Sequence, residues 1–178
     1  MNSADSLQAA IHEEVDLQAY NDAWPTMFAA ERDRLLGLLS PSFIDIEHIG
    51  STAVPGLVAK PIIDMLAGVE SMVMARSLSG VLLEAGYTTS AEFNATLSDR
   101  QWFMRWADGR RTHHLHVVVH GGPVWHRHLR FRDALRGDAV LAARYAAVKA
   151  ELALRHPTDR EAYTVAKTAF VHSVTGLD

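Results

Sequence analysis

The sequence has no cysteine and no long uncharged apolar run. Without cysteine, a disulfide framework, a thiolate zinc site, an iron–sulfur cluster and a cysteine nucleophile are all excluded. Without a long apolar run, and with a mean hydropathy of −0.01, we expect no transmembrane helix and no membrane partner. The first residues are acidic and lack the basic segment that precedes the apolar core of a signal peptide. We therefore expect a cytoplasmic protein.

The sequence also lacks a surplus of positive charge, because 17 Lys and Arg oppose 21 Asp and Glu for a net charge of −4. A broad, sequence-independent nucleic-acid binder needs such a surplus, so we expect small-molecule rather than nucleic-acid partners. The remaining composition, 48% hydrophobic and 21% charged, is that of an ordinary globular domain. The chain has no internal repeat, and we expect one domain over 1–178 with residues 1–15 flexible.

The hydrophobic pattern predicts an α/β (α+β) domain. Apolar residues at helical spacing predict helices over 22–39, 71–86, 125–136, 138–155 and 159–174. Apolar and β-branched runs predict strands over 43–49, 59–69, 102–106 and 112–120. The polar segment 88–101 is expected to be a long loop, of the kind that is often functional or mobile. The order is helix, two strands, helix, two strands and a helical C-terminal layer.

Segment 47–64, EHIGSTAVPGLVAKPIID, carries the most informative chemistry. A Gly-Ser turn such as Gly50-Ser51 can present backbone N–H groups and a hydroxyl to a phosphate. Asp64 lies in an apolar strand, where a carboxylate is costly unless it is paired or binds a metal. Together these features predict a phosphate-and-magnesium site, because Mg²⁺ prefers one or two carboxylates plus phosphate oxygens. The alternative is a capped turn and an Asp64 that bonds a neighbouring loop.

Histidines form a second pattern. His114, His116 and His120 fall on one face of a strand, because side chains alternate between the two faces. The His-x-His spacing occurs in zinc and iron sites, and histidine titrates near neutral pH. Three interpretations are open: a transition-metal site, a contact with phosphate or substrate, and a polar face without a metal. His113 points to the opposite, apolar side and is expected to be structural.

Two basic residues near these strands are candidates for phosphate contact. Lys60 stands at the entrance to the Asp64 strand, and Arg105 lies on the strand expected to pair with the histidine strand. The alternative for Lys60 is a solvated or snorkelling side chain. Trp102 and Phe103 are expected in the core, with covering of a nucleotide base as the alternative.

Several separated motifs resemble the GrpB family of small bacterial proteins. HIGSTAVPGLVAKPIID resembles the family's signature, and YNDAWPTMFAAERDRL resembles its opening helix. THHLHVV resembles its later strand, and HLRFRDALR, YAAVKAEL and DREAYTVAKTAFV resemble its C-terminal helices. The resemblance covers nearly the whole chain. It implies a nucleotidyltransferase-like fold, in which helices flank a mixed sheet.

The resemblance also implies a site. In nucleotidyltransferases a Gly-Ser turn holds the β- and γ-phosphates, and carboxylates on two strands hold two Mg²⁺ ions that orient an in-line attack on the α-phosphate. This implies phosphate binding at Gly50, Ser51 and Thr52, and magnesium binding at Asp64. The second carboxylate of the pattern is replaced by Leu66.

Other positions extend the implied site. Glu47 is the candidate for a further oxygen ligand of magnesium. Lys149 and Lys167, on the C-terminal helices, are the candidates for triphosphate contact. His114 and His116 stand where a carboxylate is expected on the later strand, and would orient or deprotonate an acceptor.

The implied function is transfer of a nucleotidyl group from an NTP with Mg²⁺ to a small-molecule acceptor. Two alternatives stay open. The absent carboxylate at Leu66 favours a catalytically degenerate nucleotide-binding or partner-binding domain, and the pair His114 and His116 favours a histidine-ligated metal hydrolase.

Overall fold

The computed structural model describes residues 16–157 and 159–176. The prediction for residues 1–15 lies outside them. The described helices are α1 (Trp24–Leu39), α2 (Met72–Ser77), α3 (Ser79–Glu84), α4 (Ala91–Ala95), α5 (Pro123–Gly137), α6 (Ala139–Arg155) and α7 (Arg160–Thr175). The described strands are β1 (Asp45–Ile49), β2 (Ile63–Val69), β3 (Tyr87–Thr88), β4 (Gln101–Ala107) and β5 (Arg110–Val119). A short 3₁₀ turn, Ser51–Ala53, follows β1.

The strands form one mixed sheet in the order β1-β2-β5-β4-β3. The β2 and β5 strands are parallel, and the other neighbouring pairs are antiparallel. The predicted mixed sheet flanked by helices is confirmed. So is the helical C-terminal layer, which comprises α5, α6 and α7.

Alternation along the strands separates two faces. Met65 of β2 and Leu115 and Val117 of β5 pack in the main core, together with α1, α2 and α3. Leu66 and Val118, which have the opposite parity, pack against α5 in a second cluster. The histidines of even number on β5 share this second face, as the sequence pattern predicts. The sheet face that carries Asp64, His114 and His116 is therefore the face turned toward the C-terminal helices.

Two predicted segments differ from the structure. The predicted helix 71–86 is two short helices, α2 and α3, which meet at Leu78. The prediction of one long polar loop over 88–101 is wrong, because this segment contains the end of β3, all of α4 and the first residue of β4. The Asn94 side chain donates a hydrogen bond to the Trp102 carbonyl and accepts one from the Trp102 N–H. Elements this short carry too few residues for a periodic pattern to stand out.

Among the described helices, none combines the length and the hydrophobicity that crossing a bilayer would require.

Candidate functional site

The turn after β1 lies directly against the Asp64 carboxylate. Ile49, the last residue of β1, is the register partner of Asp64 on β2. Gly50 has a φ of +71°, and a Cβ built on it would lie 2.5 Å from Asp64 Oδ2. Glycine meets both demands, because it tolerates a positive φ and carries no Cβ. The Gly-Ser turn and the carboxylate therefore form one unit.

His114 holds the Asp64 carboxylate in place. Its Nδ1 donates to Asp64 Oδ1 at 3.0 Å, and its Nε2 lies 3.2 Å from Nη1 of Arg111. A guanidinium can only donate, so Nε2 is the acceptor and the ring proton is on Nδ1. Both ring nitrogens are engaged. His114 thus orients Asp64 and has no nitrogen left to take a proton from an acceptor.

Asp64 is ionised at neutral pH. Burial by itself would raise the pKa of its carboxyl group. The hydrogen bond from His114 and, after it, the electrostatic effects of His114, His116 and Lys167 outweigh burial and lower the pKa to about 2. The side chain remains 30% exposed. An ionised carboxylate at the edge of a cavity can bind a cation.

Lys149 joins α6 to the Gly-Ser turn. Its Nζ donates to Ser51 Oγ at 2.9 Å and to the carbonyl of Val58. The ammonium also lies 4.8 Å from the centre of the Tyr145 ring. The residue is only 2% exposed. Burial and the nearby charge of Lys167 lower the pKa of Lys149 to about 7.

Lys60 and Lys167 meet at the ring of Tyr163. Their Nζ atoms lie 4.7 Å and 4.9 Å from the ring centre. This distance is within the range of cation–π contacts. Tyr163 therefore contacts two cations, one on its own helix and one from the segment before β2, in the cavity that the Gly-Ser turn also lines.

These residues line one cavity of about 650 Å³, a volume typical of small-molecule sites. The predicted site residues in its lining are Gly50, Ser51, Thr52, Lys60, Asp64, His114, His116, Lys149 and Lys167. The structure thus brings together residues from the turn, two strands and two C-terminal helices.

The cavity is strongly cationic. Its lining holds Lys60, Lys149 and Lys167, and also Arg100 and Arg127. Asp64 is the only carboxylate that lines it within the described residues. Aromatic side chains provide apolar wall: Phe93, Trp102, Phe131 and Tyr163. This combination suits a small molecule that carries several negative charges and a flat apolar part.

A histidine pair lies further along β5. The rings of His116 and His128 are 5.7 Å apart between centres. Burial and neighbouring positive charge lower the pKa of His116 to about 3 and that of His128 to about 4, so both rings are neutral at pH 7. Nδ1 of His116 is buried and has no hydrogen-bond partner among the described residues.

Two predicted site residues are not brought into the cavity. Arg105 is the register partner of His113, and its guanidinium pairs with the buried carboxylate of Glu31 on α1, on the opposite face of the sheet. Glu47 shares the face of Asp64, but its carboxylate accepts a hydrogen bond from Arg132 on α5. Neither residue lines the cavity.

Thr52 lines the cavity but holds the turn in place. It is 1% exposed, its hydroxyl lies 2.9 Å from Nε2 of His48, and it donates to the Ile62 carbonyl. The prediction of a phosphate contact at Thr52 stays a prediction, and its side chain already has two protein partners.

The donor set fits one magnesium ion rather than two. Leu66 occupies the position of a second carboxylate and is fully buried. Among the side chains that the structure describes, no group of three histidine or acidic residues is arranged to hold a metal. A single carboxylate is sufficient for an Mg²⁺ ion that takes its other ligands from phosphates and water.

Sequence reasoning missed the arginines at one end of the cavity. Arg127 and Phe131 are four residues apart on α5, and both line the cavity. That spacing places them on one helix face, a signal that is present in the sequence. Arg100 precedes β4 by one residue, and no local pattern identifies it.

Comparisons with known proteins identify relatives across almost the whole chain. A family model described as GrpB protein matches residues 14–176. The glutamate-rich protein GrpB of Alkalihalophilus pseudofirmus is 34% identical over 90% of this chain and 94% of that protein. The UPF0157 protein YqkA of Bacillus subtilis is 37% identical over 88% of this chain, which spans only 45% of YqkA.

A solved structure agrees. The crystal structure of conserved protein GrpB from Enterococcus faecalis superposes with a TM-score of 0.80 at 34% identity, over 90% of this chain and 95% of that one. The family match, the relatives and the common fold lead to one conclusion: this chain belongs to the GrpB family.

Proposed function

We propose that this protein binds a nucleoside triphosphate with Mg²⁺ in the cavity and transfers the nucleotidyl group to a small acceptor. The proposal rests on one cavity that is lined by the Gly50-Ser51 turn, the ionised Asp64 and three lysines. A nucleotidyltransferase-like fold, implied by the family resemblance, supports the same activity by analogy.

The phosphates bind at the lysine end of the cavity, which is formed by Lys60, Lys149 and Lys167. The backbone of the Gly50-Ser51 turn faces them, and Lys149 fixes the Ser51 hydroxyl beside them. Lys60 and Lys167 neutralise their charge from the side of Tyr163. Charges fixed in advance in a partly desolvated cavity stabilise a developing negative charge more effectively than water does.

Asp64 would hold one Mg²⁺ together with phosphate oxygens. When bound, the ion offsets negative charge on the phosphates and on the leaving group. His114 keeps the carboxylate oriented through the hydrogen bond to Oδ1. Its contribution is positioning, because both of its ring nitrogens are engaged.

In the transfer, an acceptor hydroxyl oxygen forms a bond to the α-phosphorus. The bond from that phosphorus to the bridging oxygen breaks, and pyrophosphate leaves. The hydroxyl proton passes to solvent water. His116 orients the hydroxyl and does not take up its proton, because a ring with a pKa of about 3 is too weak a base to hold that proton at pH 7.

A second candidate function is nucleotide binding without turnover. Leu66 favours it, because this side chain packs with Ile49 and Trp125 where a second carboxylate would stand. The metal hydrolase alternative has less support, since both nitrogens of His114 are engaged by Asp64 and Arg111.

The experiment is a calorimetric titration of ATP, GTP, CTP and UTP, each with Mg²⁺ and with EDTA, into the wild type and Asp64→Asn. We expect saturable binding of at least one nucleotide, weakened tenfold or more both by EDTA and by the substitution. Asp33→Asn is the matched control, because Asp33 is 76% exposed on α1 and lies outside the cavity lining. Absence of binding by all four nucleotides would contradict the proposal. Pyrophosphate release then separates transfer from binding alone.

A further inference from the structure

We infer that the acceptor carries an oxyanion, a carboxylate or a phosphate, and that Arg100 and Arg127 bind it beside His116 and His128. These four residues form what we call the arginine subsite. The identification of its ligand as the acceptor rests on the proposed function. The subsite itself rests on the charges, contacts and burial of its four residues.

The arginine subsite is separate from the lysine end. His114 is the register partner of Asp64, whereas His116 is the register partner of Leu66. Two residues along a strand correspond to about 6.6 Å. The rings of His116 and His128 therefore lie beyond the carboxylate, away from the Gly50-Ser51 turn. One cavity thus has two cationic ends, with Asp64 at the first.

The charge of the arginine subsite lacks a strong internal counter-ion. Arg127 has no ion-pair partner among the residues that the structure describes, although it is half-buried in the cavity wall. Arg100 meets Asp99 at 3.7 Å, a long contact to a carboxylate that is 45% exposed. Exposed ion pairs of this kind contribute little stability. An oxyanion between the two guanidinium groups would supply the missing charge.

The two histidines report the same positive potential. Burial is the largest cause that lowers the pKa of both rings. After burial, Arg127 and then Arg100 lower the pKa of His128, and His128, His114 and Arg100 lower that of His116, whereas Asp64 raises both. A neutral imidazole can donate one N–H to an oxyanion. His116 Nδ1 is buried without a partner among the described residues. A buried polar atom without a partner is uncommon and calls for a ligand or water.

The adjoining wall is apolar and fits the body of a small molecule. Trp102 of β4 is the register partner of His116. Its ring lies 5.6 Å from that of Phe93, edge to face. Arginine forks beside an aromatic wall select an anionic head on an uncharged body. A neutral acceptor such as a simple sugar would leave both guanidinium groups without a partner.

The test follows histidine ring signals by NMR while inorganic phosphate, and separately acetate, is added at constant ionic strength. We expect saturable shifts of the His116 and His128 signals. If only phosphate shifts these signals, the natural ligand carries a phosphate. If acetate shifts them as well, the natural ligand carries a carboxylate. Arg127→Gln should weaken the response tenfold or more. Arg130→Gln, which changes an exposed arginine on the same helix, should leave it unchanged.

Two further titrations, which follow the same histidine signals, separate this inference from the proposed function. The response should survive in Lys167→Gln, because that lysine belongs to the other end of the cavity. It should also survive when ATP with Mg²⁺ is bound, because the acceptor must bind beside the nucleotide. A response at His128 without any ATP binding would retain the subsite and remove the nucleotidyl transfer.

Three results would overturn the inference. The first is no saturable shift with either anion. The second is an equal response in the wild type and in Arg127→Gln; should that variant not fold, Arg100→Gln gives the same comparison. The third is loss of the response once ATP is bound, which would mean that the arginines hold the nucleotide itself.

Discussion

The backbone of Gly50 approaches Asp64 so closely that a Cβ at position 50 would lie 2.5 Å from the carboxylate Oδ2. The residue that forms the phosphate turn and the residue that would hold magnesium are therefore packed against each other. A change at either one moves the other. The turn and the carboxylate act as a single structural unit.

Gly50→Ala should destabilise the protein by more than about 2 kcal/mol and abolish nucleotide binding. Alanine at a positive φ costs about 1–2 kcal/mol by itself, and the clash with Asp64 adds to it. Gly56→Ala is the matched control, because Gly56 has a φ of +79° and a Cβ at that position would have no atom within 4 Å. Denaturant unfolding measures both variants. Equal losses of stability would contradict the role given to the close approach.

His114→Leu should raise the pKa of the Asp64 carboxyl group from about 2 to its ordinary value of 3.8 or above. Burial, which raises the pKa, stays in the variant, whereas the hydrogen bond that lowers it is removed. The carboxyl carbon signal of Asp64, followed by NMR against pH, measures the change. A pKa that stays near 2 would show that His114 does not hold the carboxylate ionised.

The lowered pKa of Asp64 also fixes the direction of a stability effect. Ionised Asp64 stabilises the fold at pH values above the ordinary pKa of 3.8, and this stabilisation is lost as pH falls through about 2. Asp64→Asn should therefore be less stable than the wild type at pH 6, with the difference shrinking toward pH 2. Unfolding curves at several pH values measure this difference, and a difference that does not change with pH would contradict the assignment.

Lys149 should make the stability of the protein rise with pH above neutrality. Its pKa is about 7 in the fold against an ordinary 10.5, so between these values the unfolded chain holds a proton that the folded chain lacks. The free energy of unfolding then rises with pH, by at most about 1.4 kcal/mol per unit. Lys149→Met removes this contribution. Parallel profiles for wild type and variant between about pH 7.5 and 9.5 would show that the folded chain keeps this proton.

Arg105→Gln should lower stability by about 1 kcal/mol, the scale of a single hydrogen bond. The guanidinium pairs with Glu31, a buried carboxylate that also accepts hydrogen bonds from Arg34 and the Tyr87 hydroxyl. Removal of one of these three partners weakens the network without leaving Glu31 unpaired, because Arg34 and Tyr87 remain. The control is Arg32→Gln. Arg32 lies on α1 beside Glu31 and forms a more exposed ion pair with Asp45. Unchanged stability in Arg105→Gln would show that the network does not depend on Arg105.

Much of the fold and the centre of the site could be predicted from local sequence. The turn at Gly50 and the carboxylate at Asp64 lie within fifteen residues of each other, and alternation on one strand places His114 and His116 on the same face. Glu47 has the correct parity for the cavity face. Its carboxylate instead pairs with Arg132, and this contact depends on how α5 packs across the sheet, which local patterns do not specify.

Long-range packing explains what the sequence does not predict. Arg105 is expected to contact phosphate because its strand pairs with the histidine strand. Its register partner is His113, which puts it on the other face, whereas Trp102 opposite His116 lies on the cavity face. Arg100 and Arg127 reach one cavity from separate segments. Only the pairing of β4 with β5 and the docking of α5 bring them together.

The proposed function depends above all on binding of a nucleoside triphosphate at the lysine end of the cavity. The most direct measurement compares, by calorimetry, the affinity for ATP with Mg²⁺ of the wild type, Lys167→Gln and Arg105→Gln. Lys167 lines the cavity, and Arg105 lies on the opposite face. Loss of one charged contact of about 1.5–3 kcal/mol should weaken binding tenfold or more in Lys167→Gln and leave Arg105→Gln at the wild-type affinity. Equal affinities in all three proteins, or no binding by the wild type, would contradict the account.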